Sequence, residues 1–557
     1  MTYAMHVPET RLQGLDSEMR EMVVETIRKM RERLLTKDKI MAFDREDRFP
    51  EEVIREMLGP EIGLQLIFIP EAYGGMGGGA RDCCAVTREM SKICLGVATA
   101  FFAIQLGADP LLVSGTEAQK AKWLGAIAES QALVAYAVTE PGAGSNVAAI
   151  KTKADPVTDA AGEVIGYRIN GTKQFISTGG YADFITLLAK APEGPTFFVV
   201  EKDAEGFEKG KGEEKHGIRA SNTVPLTFTD VFVPLENLIG GTAGNGLKLA
   251  NQVFGYTRLM VASMALGAMD GALEIVVPYA RERMQFGSAL AEKQGYTHKL
   301  IVPHWVRREA AAAYIDEVAY KLDTVDEDLQ VEGSMAKLFV TESANRAADD
   351  AMQALGGYGY ISEFEVEKIK RDVKITCIYE GTSEIQQNII STFRWKKTRK
   401  TKGAYYEEIA REMEALAEAL PDAGCRFYAL AARALNRTVM QVHETRLIRQ
   451  QVVMFALADL MTHVEVGAAL ARKVYCLARA GDPRAEALKP VSRLFANEVA
   501  QLTMQNVARI ILGSGRFDDR AATAFMTEIS YDQLMGSFRN VVADMDRVAD
   551  LVFGRAS

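Results

Sequence analysis

Cysteine is scarce and unpatterned in this chain: six in 557 residues, two of them adjacent (Cys83, Cys84). No spacing suits a metal site or a disulfide framework, which points to a reducing compartment and to no bound metal. Positive charge is short as well. Lysine and arginine number 65 against 74 aspartates and glutamates, a net charge of −9, and this balance argues against a nucleic-acid partner. The one dense basic run, "FRWKKTRKTK" at 393–402, follows a predicted helix and reads as a solvated junction. The N-terminus lacks the basic segment and apolar core of a signal peptide. No apolar run reaches the roughly 18 residues that span a bilayer. A cytoplasmic protein is expected, peripheral to a membrane at most.

Two nucleotide fingerprints are missing. "IPEAYGGMGGGA" follows a short apolar run but has neither the Lys-Ser/Thr of a phosphate loop nor dinucleotide-loop spacing, so it reads as a structural loop between helices. What is present falls into blocks. Residues 1–135 carry apolar residues at helical spacing, as in "SEMREMVVETIRKMRERLL". Residues 136–245 hold short β-branched and aromatic runs between Gly, Pro, Asn and Asp, the pattern of an antiparallel β domain. Residues 246–400 return to long amphipathic helices at 245–275, 291–322, 332–355 and 381–396, whose apolar faces suit a four-helix bundle. Residues 401–557 form a further helical domain with no catalytic constellation. The fold class is therefore mainly α with a β domain.

Several motifs stand out. In "TEPGAGSN" (139–146), Pro141, Gly142 and Gly144 suit an open turn exposing backbone N–H groups; it reads either as an anion cradle or as a plain connection. "QFISTGG" sets Phe175 and Ser177 two apart, on one side of a strand. "QALGGYGY" (353–360) closes a helix with Gly356 and Gly357, where a Rossmann loop would instead open one. "CIYEGTSEIQ" (377–386) holds Glu380 on a tight turn, either as a functional carboxylate or as a hydrated turn acid.

With "AYAVTEPGAGSNVAAIKTKA", "NGTKQFISTGG" and "RERMQFG" (281–287), these motifs run in the order found in the acyl-CoA dehydrogenase family of flavoproteins. The chain resembles that family over residues 40–395. Its layout is similar to the very-long-chain branch, whose C-terminal helical addition supports dimerisation and membrane-surface association.

The resemblance implies FAD as cofactor, an acyl-CoA substrate, and an electron-transferring flavoprotein as electron acceptor. Glu380 would be the general base that removes the α-proton of the thioester while a hydride leaves the β-carbon for flavin N5. A free carboxylate, with pKa about 4.3, is weak for that task. Desolvation raises it, and hydrogen bonds to the thioester oxygen stabilise the enolate-like charge. Thr257 stands where some branches carry the base, which leaves Glu380.

Tyr136, Val138, Thr139, Phe175, Ser177, Thr382 and Glu384 would contact FAD. Arg283, Gln285, Phe286, Gln294, Gln353, Gly356 and Gly357 would do so as well, the Arg283 and Gly356 segments reaching the FAD of a neighbouring subunit in a homodimer or homotetramer. Ser145, Tyr379, Gly381 and Phe102 would meet the substrate. Arg258 matches a CoA-side position or serves as a helix-surface ion-pair partner. Phe101 and Phe102 imply a shorter, branched or cyclic acyl group, or ordinary core packing. Two further readings of the fold are an acyl-CoA oxidase or flavin monooxygenase, and a non-catalytic assembly protein.

Overall fold

Asp16 accepts a hydrogen bond from the Met19 N–H and so starts the first helix. The computed structural model describes residues 14–325 and 328–555. Residues 1–13, most of the stretch read as lacking a signal peptide, lie outside the described residues. The chain opens with α1 (Ser17–Arg33), α2 (Lys37–Arg45), α3 (Glu51–Leu58), α4 (Ala80–Ile93), α5 (Leu95–Ser114) and α6 (Glu117–Ser130). The glycine-rich segment before α4 is a structural loop, as expected. The Gly77 and Gly78 N–H groups bond to the carbonyls of Ile69 and Ile67.

The β domain comprises β1 (Val134–Ala137), β2 (Lys153–Thr158), β3 (Val164–Ser177), β4 (Phe184–Ala191), β5 (Gly194–Glu201), β6 (Phe207–Lys209) and β7 (Thr223–Pro234). Their order is β1-β4-β2-β3-β7-β6, with β5 also paired to β4. Pairings are antiparallel except that β1 runs parallel to β4 and β2 meets β4 at one parallel position. A parallel pair needs a long crossover rather than a tight turn, and residues 138–183 supply it. Ile169, Ile185, Leu187, Phe198, Leu226 and Phe228 form the buried side of this domain, each contributing about 1.5–3 kcal/mol by leaving water.

The later helices are α7 (Gly246–Glu282), α8 (Gln294–Leu300), α9 (Val302–Thr324), α10 (Gln330–Leu355), α11 (Glu365–Val373) and α12 (Ser383–Lys400). Beyond them lie α13 (Ala404–Ala419), α14 (Cys425–Glu444), α15 (Gln451–Arg479), α16 (Arg484–Ile511), α17 (Asp519–Glu528), α18 (Tyr531–Leu534) and α19 (Val541–Phe553). The helix expected over 291–322 is interrupted at Ile301, whose backbone (φ −127°, ψ −57°) leaves the helical region. The chain divides into two compact units. One holds the described part of Met1–Ala268 with Ala319–Gln330 and Arg371–Thr376. The other holds Met269–Val318, Val331–Lys370 and the described part of Cys377–Ser557.

Within the second unit the bundle helices are tied by polar contacts. Arg308 on α9 pairs with Asp270 on α7 at 2.6 Å. The Tyr279 hydroxyl on α7 donates to the Leu355 carbonyl at 3.3 Å. The basic run at 393–402 corrects its expectation: α12 continues through it to Lys400, and Arg394 is buried. Its guanidinium bonds both Glu465 oxygens and Glu332 at 2.7 Å, and the Tyr405 and Tyr406 hydroxyls also donate to Glu465. Burial forces this pairing, because an isolated charge would be too costly there.

A second correction concerns apolar length. α5, α7 and α15 are each long and apolar enough to cross a membrane, by length and composition. In this fold 78%, 83% and 72% of their apolar windows are buried inside the protein. A helix surrounded by neighbours is apolar on all sides for that reason.

Candidate active site

In the first unit, β1 is buried along its whole length. The Tyr136 ring stacks on Phe197 at 5.7 Å and meets Phe254 edge-on at 6.2 Å. The Arg258 guanidinium lies 5.9 Å from the centre of that same Phe254 ring. Arg258 is buried rather than on a helix surface.

The strand end after Tyr136 is held by a lysine. Lys173 Nζ donates to the Val138 carbonyl and to Glu140 Oε1, both at 2.9 Å. Glu140 also accepts the N–H groups of Lys151 (2.6 Å) and Thr152 (3.0 Å). Burial brings the Lys173 ammonium down to about 8 despite its carboxylate partner. Burial pushes Glu140 the other way, but Lys173, Thr152 and the Lys151 amide together hold it below the usual carboxylate range.

The turn that follows is tighter than the open one expected. Glu140 and Ala143 exchange both backbone bonds, at 3.1 and 3.0 Å, which leaves Pro141 and Gly142 exposed at the tip. Thr139 is half-buried, and its carbonyl accepts the Gln174 N–H at 2.9 Å.

Phe175 belongs to a bulge. Gln174 and Phe175 together oppose Pro225, with the register shifting between Lys173 and Ile176. Proline has no N–H to give the ladder, and the extra residue turns Phe175 into the left-handed region (φ 59°) with its ring exposed. Ile176 is buried and Ser177 half-buried. Ser145 is exposed, and Phe102 is half-buried against Phe101 at 6.2 Å.

In the second unit, Glu380 sits in the turn between a short 3-10 segment (Lys374–Cys377) and α12. It occupies the left-handed region (φ 55°), and Gly381 follows at φ 88°. A Cβ on Gly381 would stand 2.7 Å from Gln386 Nε2, and the left-handed φ strains any other residue there. Lys337 Nζ donates to the Gly381 carbonyl at 2.6 Å. Gln386 Nε2 donates to the carbonyls of Glu380 (3.1 Å) and Gly381 (2.8 Å). Thr382 caps α12 by accepting from the Ile385 N–H, and Ser383 Oγ donates to Glu342 at 2.6 Å. Tyr379 is half-buried, while Glu384 is exposed in the first turn of α12. The positive end of the helix dipole therefore lies beside Glu380 and favours an anion there.

A hairpin carries the arginine motif. Met284–Gln285 pairs with Ser288–Ala289, and both residues between them, Phe286 (φ 51°) and Gly287 (φ 79°), are left-handed as a type I′ turn requires. Phe286 is 96% exposed, and Arg283 and Gln285 are exposed. Arg283 lies 5.8 Å from the Tyr358 ring centre, which brings it to the "QALGGYGY" loop. There Gly356 (φ 61°) stops α10 at Leu355, and Gln353, Gly356 and Gly357 are exposed. Gln294 is drawn elsewhere: its amide donates to Asp546 on α19 at 2.9 Å. Arg555 also reaches back, to the Ala291 carbonyl at 2.8 Å.

Three family descriptions match in sequence order: the acyl-CoA dehydrogenase N-terminal domain over residues 17–131, the middle domain over 135–231 and the C-terminal domain over 244–393. The chain belongs to the acyl-CoA dehydrogenase family. An acyl-CoA dehydrogenase of Bacillus subtilis is 38% identical over 356 residues, covering 63% of this chain and 91% of the relative. A subunit of the caffeyl-CoA reductase–Etf complex of Acetobacterium woodii is 34% identical, covering 68% and 99%. The acyl-CoA dehydrogenase of Bacillus anthracis, solved in complex with FAD, has the same fold over 99% of this chain and 97% of its own (TM-score 0.82, 22% identity).

In this member of the family, four site-building residues escaped the sequence reading: Glu140, Lys173, Lys337 and Gln386. A signal existed for Lys337, a lone cation within the apolar stretch "MAKLFV".

Proposed function

We propose that the chain is a FAD-dependent acyl-CoA dehydrogenase that converts an acyl-CoA thioester to the 2,3-enoyl-CoA, with Glu380 as base. The observation that carries the reading is Glu380 itself, a carboxylate on a left-handed turn clamped through its own and its neighbour's carbonyls at the start of a helix.

The residues present fit a flavin dinucleotide. Phe175 offers an exposed ring on a fixed bulge, and Arg283 an exposed guanidinium suited to phosphate oxygens. A Cβ at Gly356 or Gly357 would meet nothing within 4 Å, so backbone there is open to a ligand. Bound FAD supplies the hydride acceptor. The chain's own residues do the rest: Glu380 would take the proton from the α-carbon, and its backbone N–H would donate to the thioester oxygen.

Phe286 at 96% and Tyr360 at 84% exposure stand close in sequence to Arg283 and to its ring partner Tyr358 and suit a second copy of the chain, so the reading includes a homo-oligomer. The extension's kinship with the very-long-chain branch belongs to the reading too, with its apolar faces serving α12–α16 packing rather than a membrane surface. The Etf-linked relative supports an electron-transferring flavoprotein as acceptor, and six free cysteines support a cytoplasmic location.

The test is the visible spectrum of the purified protein, followed anaerobically on adding a panel of acyl-CoAs. Bleaching of the oxidised-flavin band by one chain class is the expected result and names the substrate. A bound flavin that no thioester bleaches sinks the dehydrogenase reading. Reoxidation by air faster than by an electron-transferring flavoprotein would make the enzyme an oxidase.

A further inference from the structure

Glu380 and Gly381 are consecutive left-handed residues. Glycine is at ease there, whereas an L-residue with a long side chain is more stable in the right-handed or extended regions. Something must therefore hold the turn. The two donors that do so are both fully buried. Lys337 comes from the middle of α10, between Met335, Ala336, Leu338 and Phe339, all buried. Burying a lysine among apolar side chains is costly without a specific partner. Its Nζ takes the Gly381 carbonyl at 2.6 Å. Gln386, one turn into α12, spans the carbonyls of Glu380 and Gly381 with a single Nε2, at 3.1 and 2.8 Å. α12 already has its cap in Thr382, so these donors are not needed to start the helix. They fix the two peptide planes that follow the Glu380 side chain.

We propose that Lys337 and Gln386 are positioning residues for Glu380, clamping its turn so that the carboxylate is presented in one orientation. The proposal rests on the assignment of Glu380 as base made above. Released from the clamp, the turn relaxes towards a right-handed glutamate, which swings the carboxylate away from the position it now holds.

The test uses the full-length FAD-bound protein as wild type and as Lys337→Met, Lys337→Arg and Gln386→Leu. Two quantities are read: the anaerobic bleaching rate per bound flavin across pH, with the acyl-CoA that the wild type oxidises fastest, and amide hydrogen exchange of residues 378–382. For Lys337→Met and Gln386→Leu, bleaching falls about 10–100-fold. Substrate dissociation constants stay within about threefold, and the pH profile of the rate moves. Exchange at 378–382 speeds by about tenfold or more, while Lys337→Arg recovers most of both losses. Bleaching and exchange at wild-type rates overturn the proposal, as does a rate loss that merely tracks lost FAD or a lowered Tm. Should no thioester bleach the wild type, the base assignment itself falls. Exchange then still decides whether the clamp exists, and unchanged exchange in Lys337→Met removes it.

Discussion

Lys173 and Glu140, 33 residues apart in sequence, form an ion pair 2.9 Å long with both side chains buried. The pair joins the end of β1 to the bulged strand that presents Phe175, so an electrostatic contact sets the spacing of two elements of the candidate site. Lys173→Met leaves Glu140 buried without its cation, and the expected cost is about 3–5 kcal/mol of stability, measured by urea unfolding. Lys173→Met combined with Glu140→Gln should recover part of that loss. A single variant as stable as wild type would show that the pair contributes little.

Glu380→Gln keeps the size of the side chain and removes its basicity. Flavin bleaching by the substrate thioester should fall by about 10²–10⁴-fold, with FAD content and substrate binding retained. Stopped-flow absorbance under nitrogen reads the rate, and equilibrium dialysis reads the cofactor.

Arg283→Ala removes an exposed cation from the hairpin and disturbs no packing among the described residues except its contact with the Tyr358 ring. FAD retention should weaken about tenfold or more, while the unfolding temperature of the cofactor-free protein stays within about a degree of wild type. Unchanged FAD affinity would move the phosphate site elsewhere.

Glu498 gives the fold an acid limit. Burial would raise its pKa, but Arg307, with Nε at 2.9 Å, and His463 outweigh that and bring it down to about 2. A carboxylate depressed on folding contributes stability that is present above its unfolded pKa of about 4.3 and is lost as pH falls towards the folded value. The margin of wild type over Glu498→Gln should therefore be about 1–3 kcal/mol at pH 7, allowing for partial solvent screening, and shrink steadily between about pH 4.3 and 2. Thermal melts across that range measure it.

The parts of this fold legible in the sequence are those that local chemistry decides. The order of helical, β and helical blocks follows from hydrophobic period, and the stop at Gly356 from glycine's freedom in the left-handed region. Glu380 was visible as a carboxylate on a turn because Gly381 and Thr382 are turn and cap residues. What stayed hidden depends on pairs distant in sequence. Lys337 finds Gly381 across 44 residues, and nothing local announces which buried carbonyl a buried lysine will meet. Gln294 is claimed by Asp546 across 252 residues, a partner supplied by the C-terminal extension. Arg394 reads as one charge in a basic run until Glu465 arrives from α15 to bury it. The parallel pairing of β1 with β4 is likewise a choice between strands that share the same local pattern.

The left-handed backbone at Glu380 has an evolutionary consequence. Glycine or asparagine would sit there with less strain, by something on the order of 1 kcal/mol. Random drift under selection for folding alone would therefore erode the carboxylate and leave the turn intact. A lineage that had given up the chemistry would be recognised by a small residue at this one position on an otherwise unchanged scaffold, and by a slightly higher melting temperature. Glutamate there costs the fold about 1 kcal/mol, so Glu380→Gly should melt slightly higher while losing the carboxylate.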